Sequence, residues 1–221
     1  MGFSIEWENI YKNQRHLSIW PWSDLISYVM RYANPSEKKL NVLEIGCGAG
    51  ANIPFFLQTG CNYYAIEGSQ YIVKNIIKKY PELTDKIIIS DFTKDICFNI
   101  SFDLVIDRAS LTHNDTQAIK KTIQNLYTKL NINGKYIGID WFSKNHSDAL
   151  KGDYVDEFTR TNISEGHLKG LGKVHFSDEY HIKEIFKDYE ILIMEEKIIK
   201  RIILQSNYQF ASWNFVAQKK K

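Results

Sequence analysis

Apolar residues fall into short runs that alternate along the chain with longer stretches carrying one apolar face. The short runs, typical of buried strands, occupy 40–45, 62–66, 86–90, 102–106 and 136–140. The longer stretches predict helices from about Asn52–Pro54 to Gly60, from Ser69 to Tyr80 and over about 116–130. Strands that alternate with helices predict an α/β fold, in which crossover helices cover a parallel sheet.

Residues 1–39 and the residues after 142 depart from this alternation. Residues 1–39 are aromatic-rich and predict an N-terminal helical cap, and residues 40–221 predict the main domain. The segment 143–176 is polar and glycine-bearing, which is typical of a substrate-binding insertion. A helix over about 177–187 and strand-like runs over 189–204 and 208–218 follow, joined at Gln205-Ser206-Asn207. We therefore predict a Rossmann-like three-layer fold whose seven-stranded, mostly parallel sheet ends in an antiparallel hairpin.

Composition narrows the classes of partner. The net charge is +2, which gives no electrostatic reason to expect nucleic acid, and no apolar run reaches membrane-spanning length. The N-terminus lacks the apolar core expected of a signal peptide, and Cys47, Cys61 and Cys97 are scattered without metal-ligand spacing. We expect a cytoplasmic protein with a small-molecule partner, without a metal, nucleic acid or membrane. The oligomeric state is not predicted.

The most informative motif is Val42–Gly50, where a buried strand runs into Gly46-Cys47-Gly48-Ala49-Gly50. A glycine-rich turn between a strand and a helix cradles a nucleotide cofactor, because glycine lets the backbone approach the ligand. Read as G-x-G-x-G, the loop suits S-adenosylmethionine; read as G-x-G-x-x-A, it suits a dinucleotide. Glu67, 21 residues after Gly46, suits the ribose diol of either cofactor.

Three features favour S-adenosylmethionine over the dinucleotide. Glu44 lies two residues before the loop, where a carboxylate can accept from loop amides or face the cationic amino-acid end of that cofactor. The same carboxylate is badly placed beside a pyrophosphate. Asp91-Phe92 follows the third strand and suits adenine, with an acceptor for the exocyclic amine and a ring for the base. The terminal hairpin is the third feature.

Residues 40–218 resemble the class I S-adenosylmethionine-dependent methyltransferases in these motifs. The segments that carry the resemblance are Val42–Gly50, Ile66-Glu67-Gly68, Ser90-Asp91-Phe92, Phe102–Asp107 and the terminal hairpin. The resemblance implies S-adenosylmethionine as cofactor and S-adenosylhomocysteine as product. The cofactor-binding residues expected are Glu44, Gly46, Cys47, Gly48, Glu67, Gly68, Asp91, Phe92, Asp107 and, from an aromatic lid that faces the sulfonium, Trp20.

The resemblance directs the methyl group toward the segment after the fourth strand, Asp107–Asp115. His113 is the candidate catalytic base because its ordinary pKa lies near neutrality. Arg108 is expected either to bind an anionic substrate or to form a salt bridge with a neighbouring acid. Trp141 and His167 are further substrate-binding candidates. The segment has no Asn-Pro-Pro-Tyr tetrad, which favours an oxygen acceptor over an amino group.

The chain also resembles small methyltransferases of bacterial capsule and surface-glycan decoration, which implies a sugar-linked or phosphorylated acceptor. Three alternatives stay open at this point. They are an NAD-dependent oxidoreductase, a cofactor-binding module without catalysis, and a methyltransferase acting on protein or RNA. The oxidoreductase lacks a Tyr-x-x-x-Lys pair, since neither Tyr71 nor Tyr127 has a lysine four residues on.

Overall fold

A central sheet runs through the computed structural model, which describes residues 5–203 and 206–220. The helices are α1 (Ile5–Lys12), α2 (Ser23–Tyr32), α3 (Ile53–Gln58), α4 (Gln70–Lys79), α5 (Thr116–Lys129) and α6 (Glu179–Ile185). The strands are β1 (Asn41–Ile45), β2 (Asn62–Glu67), β3 (Ile87–Ile89), β4 (Phe102–Arg108), β5 (Leu130–Phe142), β6 (Asp153–Tyr154), β7 (Thr159–Thr161), β8 (Val174–His175), β9 (Tyr189–Lys200) and β10 (Gln209–Lys219).

Seven of the described strands form the central sheet, in the order β3-β2-β1-β4-β5-β10-β9. The first five run parallel, whereas β10 pairs antiparallel with both β5 and β9. This topology confirms the predicted seven-stranded sheet that ends in an antiparallel hairpin. Gln205, predicted as part of the hairpin turn, lies outside the described residues.

Apolar cores on the two faces of the sheet make the fold three-layered. On one face, residues of α1 to α4 pack on Val42, Ala65, Ile106 and Ile139. On the other face, residues of α5 and α6 pack on Leu43, Val105, Tyr136 and Phe215. Among the described residues, no helix combines the length and the apolar character needed to span a bilayer. The carboxyl ends of β1, β2, β4 and β5 remain open for a ligand.

Strand β5 is longer than predicted and carries a bulge. It begins at Leu130, directly after α5, where sequence periodicity predicted a start at 136. Its register against β10 shifts between Trp213 and Phe215, and Asp140 opposite the shift has φ +56°. A residue in this left-handed region breaks the alternation of side chains, so Ile139 and Trp141 face different cores. The bulge therefore decides which side chains of β5 reach the open end of the sheet.

The predicted insertion leaves and rejoins the domain at one point. Ser143 and Ser177 are bridged, and the amide of Lys144 donates to the carbonyl of Ser177 over 2.9 Å. Between them, β6, β7 and β8 form a separate antiparallel sheet over a small apolar core that includes Phe142, Leu168 and Phe176. Strands of two or three residues are too short to give a sequence period, so no strand was predicted within the insertion.

Candidate functional site

A cavity of about 1150 Å³ opens at the carboxyl ends of the parallel strands. This volume exceeds the roughly 300–1000 Å³ usual for one small-molecule site and leaves room for a cofactor with an acceptor. Eleven of the fourteen residues predicted from the sequence line it. These are Glu44, Gly46, Cys47, Gly48, Glu67, Gly68, Asp91, Phe92, Arg108, His113 and His167. The exceptions are Asp107, Trp141 and Trp20.

The glycine loop is shaped by close packing as well as by backbone conformation. Gly46 has φ +66° and Gly48 has φ +51°, both in the left-handed region. A Cβ on Gly46 would stand 1.8 Å from Oγ of Ser110. Ser110 therefore seats the loop against the segment after β4, and only glycine fits at the first loop position.

Glu44 braces the loop from below through side chains. Its two carboxylate oxygens accept from Nδ2 of Asn52 over 2.7 Å and from the hydroxyl of Tyr63 over 2.6 Å. Burial raises the pKa of Glu44 to about 7, although both hydrogen bonds oppose that shift. Oδ1 of Asn52 is buried beside the cavity and has no hydrogen-bond partner among the described residues. The expectation that Glu44 accepts from loop amides is wrong, because Glu67 fills that role.

Glu67 ties the loop to the next strand end. Its Oε2 accepts from the amide of Gly48 over 2.8 Å and its Oε1 from the amide of Ser69 over 2.9 Å. Burial raises the pKa of this carboxyl, against the hydrogen bonds from those amides. Each carboxylate oxygen has a second lone pair, so both can still accept from the hydroxyls of a ribose.

Asp91 presents an acceptor that the protein itself leaves unused. Its Oδ1 accepts from the amide of Thr93 over 3.0 Å and from the hydroxyl of Thr93 over 2.6 Å. Its Oδ2 is buried without a hydrogen-bond partner in the described chain, and the ammonium of Lys94 stands 3.8 Å away. Phe92 lines the cavity beside it. An unused acceptor next to a ring fits an adenine with its exocyclic amine.

Helix α1 lies within residues 1–39, where a helical cap is predicted, and it covers the glycine loop through two aromatic residues that were not predicted to reach it. Trp7 and Tyr11 line the cavity, and the hydroxyl of Tyr11 lies 3.2 Å from the position of a Cβ on Gly48. Glu8 accepts a hydrogen bond from the hydroxyl of Ser69 at the start of α4. The signal available in the sequence was the spacing of Trp7 and Tyr11, which lie one helical turn apart.

Trp22 lines the cavity, whereas Trp20, the tryptophan predicted to bind the cofactor, does not. Trp20 is 70% exposed and does not line the cavity. Trp22 lines it and stacks on the guanidinium of Arg108, 3.3 Å from the ring centre. Stacking on Arg108 turns Trp22 inward, and Trp20 has no comparable partner among the described residues. The placement of Trp20 at the cofactor is therefore corrected.

Arg108 is anchored at one edge and open at another. Its Nη2 is 3.1 Å from Oδ2 of Asp140, whose Oδ1 is 2.8 Å from the ammonium of Lys197. Lys197 also pairs with Asp24 over 2.7 Å. Nε of Arg108 is buried and has no hydrogen-bond partner among the described residues. The salt bridge expected as one alternative is present, and it leaves donors of Arg108 available to a ligand.

His113 lines the cavity and stands among aromatic rings. The ring centres of Trp7 and Phe142 lie 4.8 Å and 5.9 Å from it. Burial lowers the pKa of His113 to about 4, although a hydrogen bond to the carbonyl of Lys173 opposes the shift and His16 reinforces it. The imidazole is therefore neutral near pH 7, and one of its ring nitrogens carries a lone pair.

Asp107 and Trp141 lie beneath the cavity and do not line it. Oδ1 of Asp107 accepts from the amides of Ser110 and Leu111, and Oδ2 accepts from Tyr136 and from Nε1 of Trp141. With four donors, this carboxylate is saturated by the protein. Trp141 is fully buried because the left-handed residue before it turns it into the opposite core. Both predictions of ligand contact are corrected to structural roles.

The charges of the cavity suit a cationic ligand. Its lining includes six carboxylates, against four lysine and arginine side chains. The acids are Glu6, Glu44, Glu67, Asp91, Asp115 and Asp140, and the bases are Lys94, Arg108, Lys121 and Lys173. A surplus of acid favours a sulfonium over the negative pyrophosphate of a dinucleotide.

Comparisons with known proteins identify a methyltransferase domain in this part of the chain. Residues 42–134 match a protein family described as "Methyltransferase domain". The matched region contains the glycine loop, both acidic strand ends and His113. It selects S-adenosylmethionine over the dinucleotide as the cofactor of the loop. No curated protein sequence matches the chain.

Solved structures match the fold at low sequence identity. A SAM-dependent methyltransferase from Methanosarcina mazei has TM-score 0.68 and 15% identity, covering 91% of this chain and 99% of that chain. TehB from Haemophilus influenzae has TM-score 0.65 and 16% identity, covering 96% and 67%. A 1,6-didemethyltoxoflavin-N1-methyltransferase from Burkholderia thailandensis, with bound S-adenosylhomocysteine, has TM-score 0.63 and 13% identity, covering 90% and 79%. At these identities the structural likeness shows the fold.

Proposed function

We propose that this S-adenosylmethionine-dependent methyltransferase, whose methyltransferase domain is matched over residues 42–134, methylates an oxygen of a small anionic molecule. One observation carries this proposal. Arg108, with an unused donor, and His113, neutral near pH 7, line the same cavity as the glycine loop.

The cofactor site of the proposal consists of three parts. Asp91 and Phe92 hold the adenine, Glu67 holds the ribose hydroxyls, and Glu44 with Oδ1 of Asn52 faces the cationic amino-acid end. Bound there, the cofactor supplies a methyl carbon already activated by its sulfonium. The protein's own work is then to align the acceptor and to exclude water, for which α1 covers the loop.

At the acceptor end, Arg108 binds the anionic group and His113 accepts the proton of the hydroxyl. Arg108 is held by Asp140 and Trp22, so its guanidinium is oriented before the acceptor arrives. His113 accepts through Nε2, because its Nδ1 is bonded to a backbone carbonyl. Trp7 and Phe142 pack on His113, and these rings and His167, which all line the cavity, provide faces for a sugar or another ring.

The finer proposal is an acceptor that is sugar-linked or phosphorylated, in capsule or surface-glycan synthesis. It is supported by the resemblance of the sequence and by the anionic preference of Arg108. We also propose that residues 1–39 form an N-terminal helical cap, that residues 40–221 form the methyltransferase domain, and that the protein is cytoplasmic.

Two measurements test the function. In a thermal-shift assay, we expect S-adenosylmethionine and S-adenosylhomocysteine to stabilise the protein and NAD to leave it unchanged. Stabilisation by NAD alone would contradict the proposal. In a screen of phosphorylated and sugar-linked metabolites, we expect release of S-adenosylhomocysteine with an anionic acceptor. Arg108→Gln should raise the KM for that acceptor about tenfold or more, while the exposed Arg31→Gln control should not.

A further inference from the structure

The tautomer of His113 is set by a residue of the insertion. Nδ1 of His113 lies 3.1 Å from the backbone carbonyl oxygen of Lys173, which is 60 positions along the chain. A carbonyl only accepts, so Nδ1 carries the proton, and in the neutral ring Nε2 keeps its lone pair. The ability of His113 to accept a proton at Nε2 therefore depends on where Lys173 lies.

Lys173 is held in place by its own side chain. Its ammonium pairs with Oδ2 of Asp115 over 2.5 Å, and Oδ1 of Asp115 accepts from the amide of Ala118 at the start of α5. Both side chains of the pair are 30% exposed, which shelters it from solvent in part. Lys173 thus contacts the segment after β4 twice, through its carbonyl at His113 and its ammonium at Asp115.

A second contact attaches the insertion to the same helix independently. Asp156 accepts from the amide of Thr116 over 2.9 Å and from the hydroxyl of Thr116 over 3.0 Å. Loss of the Lys173–Asp115 pair therefore leaves the insertion attached through Asp156, and the consequence stays local to His113.

We infer that Lys173 is a positioning residue whose ion pair with Asp115 holds its carbonyl against Nδ1 of His113 and so fixes the tautomer needed for proton acceptance at Nε2. The inference rests on the proposed role of His113 as the base. It extends that proposal by making the insertion part of the catalytic geometry and not only of acceptor binding.

Three variants and one control separate this role from a general loss of structure. Lys173→Met removes the ammonium, and Asp115→Asn removes the charge but keeps an accepting oxygen for the helix cap. Lys173→Arg restores a cation and serves as the rescue. Lys169→Met, at an exposed position of the same insertion, is the matched control. The tautomer is read by long-range nitrogen–proton correlation NMR on protein labelled at histidine, with His113→Gln used to assign the signal.

In the wild type we expect the Nδ1–H pattern for His113 at pH 7. Lys173→Met and Asp115→Asn should lose that pattern and lower kcat about tenfold, less than the 10²–10⁴ that a general base contributes. The KM for S-adenosylmethionine should stay within about twofold, because the cofactor half is untouched. Lys173→Arg and Lys169→Met should keep the wild-type pattern and rate. An unchanged Nδ1–H pattern in both charge-removing variants overturns the inference.

The NMR measurement also separates this inference from the function beneath it. If His113→Gln keeps the wild-type kcat, the proposed base is wrong whatever the tautomer. If His113→Gln is inactive and Lys173→Met keeps both its tautomer and its rate, the base stands and the positioning role is lost.

Discussion

Tyr63 donates its hydroxyl to Oε2 of Glu44 over 2.6 Å, inside the core below the glycine loop. The bond joins β2 to β1 where the cavity begins, and burial leaves the pKa of Glu44 at about 7. A carboxyl that titrates near neutrality, and that faces a site for a cation, couples ligand binding to proton release.

We predict that S-adenosylmethionine binding at pH 7 releases a fraction of a proton from Glu44, because a nearby cation favours the ionised carboxylate. Calorimetric titration in buffers of different ionisation enthalpy measures this release. Glu44→Gln should abolish it. Equal proton release in the variant would assign the effect to another group.

Glu44 also makes a prediction for stability. Its pKa in the folded state lies above the unfolded value, so its contribution is present at low pH and lost as the pH rises from about 4.5 to 7. Glu44→Gln should therefore gain stability relative to the wild type across this window, by up to about 3 kcal/mol. Chemical unfolding of both proteins at pH 5 and pH 8 tests the sign.

Gly46→Ala should lose cofactor binding and cost about 2–4 kcal/mol of stability, because the new Cβ meets Oγ of Ser110 at 1.8 Å and φ is +66°. Gly60→Ala is the matched control. Gly60 has φ +74°, but nothing lies within 4 Å of its Cβ position, so only the backbone cost of about 1–2 kcal/mol applies. Urea unfolding and titration with S-adenosylhomocysteine compare the two. Equal losses would show that Ser110 does not define the loop.

Asp91→Asn should weaken S-adenosylhomocysteine binding about tenfold. The variant retains Oδ1 for Thr93 and replaces the unused acceptor by an NH₂ donor, which cannot accept from the adenine amine. An analogue with hypoxanthine in place of adenine should lose its disadvantage in the variant, while the exposed Asp95→Asn control should keep the wild-type preference. If both variants still prefer adenine, Asp91 does not bind the base.

The pH dependence of kcat should report His113. The base must be neutral, so activity falls as the pH drops through its pKa, which burial places at about 4. We expect kcat to stay level from pH 7 to about pH 5 and to decline below. The groups that face His113 are His16, Lys173 and the rings of Trp7 and Phe142, and none adds an ionised acid. A limb near 6.5 would place the titrating group elsewhere. His113→Gln should lower kcat about 10²–10³-fold.

The cofactor half of the site was open to prediction because its signals are local. One predicted strand runs into Gly46, and two others are followed directly by the acids Glu67 and Asp91. Such signals locate these residues to within a few positions of the sequence. Parallel pairing then brings those strand ends together. The prediction that Trp141 lines the cavity failed because Asp140 has a left-handed backbone, which reverses the side-chain alternation after it. Asp140 is not a glycine, so the sequence gives no sign of this conformation.

Contacts between residues far apart in the chain could not be predicted from the sequence. Trp7 and Tyr11 reach the loop because α1 packs over it, and Lys173 reaches His113 because the insertion docks on α5. Trp22, and not Trp20, lines the cavity because it stacks on Arg108, which lies 86 positions further along the chain. Such pairings depend on how finished elements dock, which no periodicity records.

The bridge between Ser143 and Ser177 gives the insertion adjacent ends. Because loop-closure entropy rises only slowly with length, a longer or shorter segment between the same two ends changes that cost by only about 0.6 kcal/mol for each doubling of its length. We therefore expect the domain to tolerate exchange of the segment between those serines. A chimera that joins another segment at these two positions, and keeps a lysine in the place of Lys173, should retain cofactor binding and the position of His113 while changing which acceptor the enzyme takes.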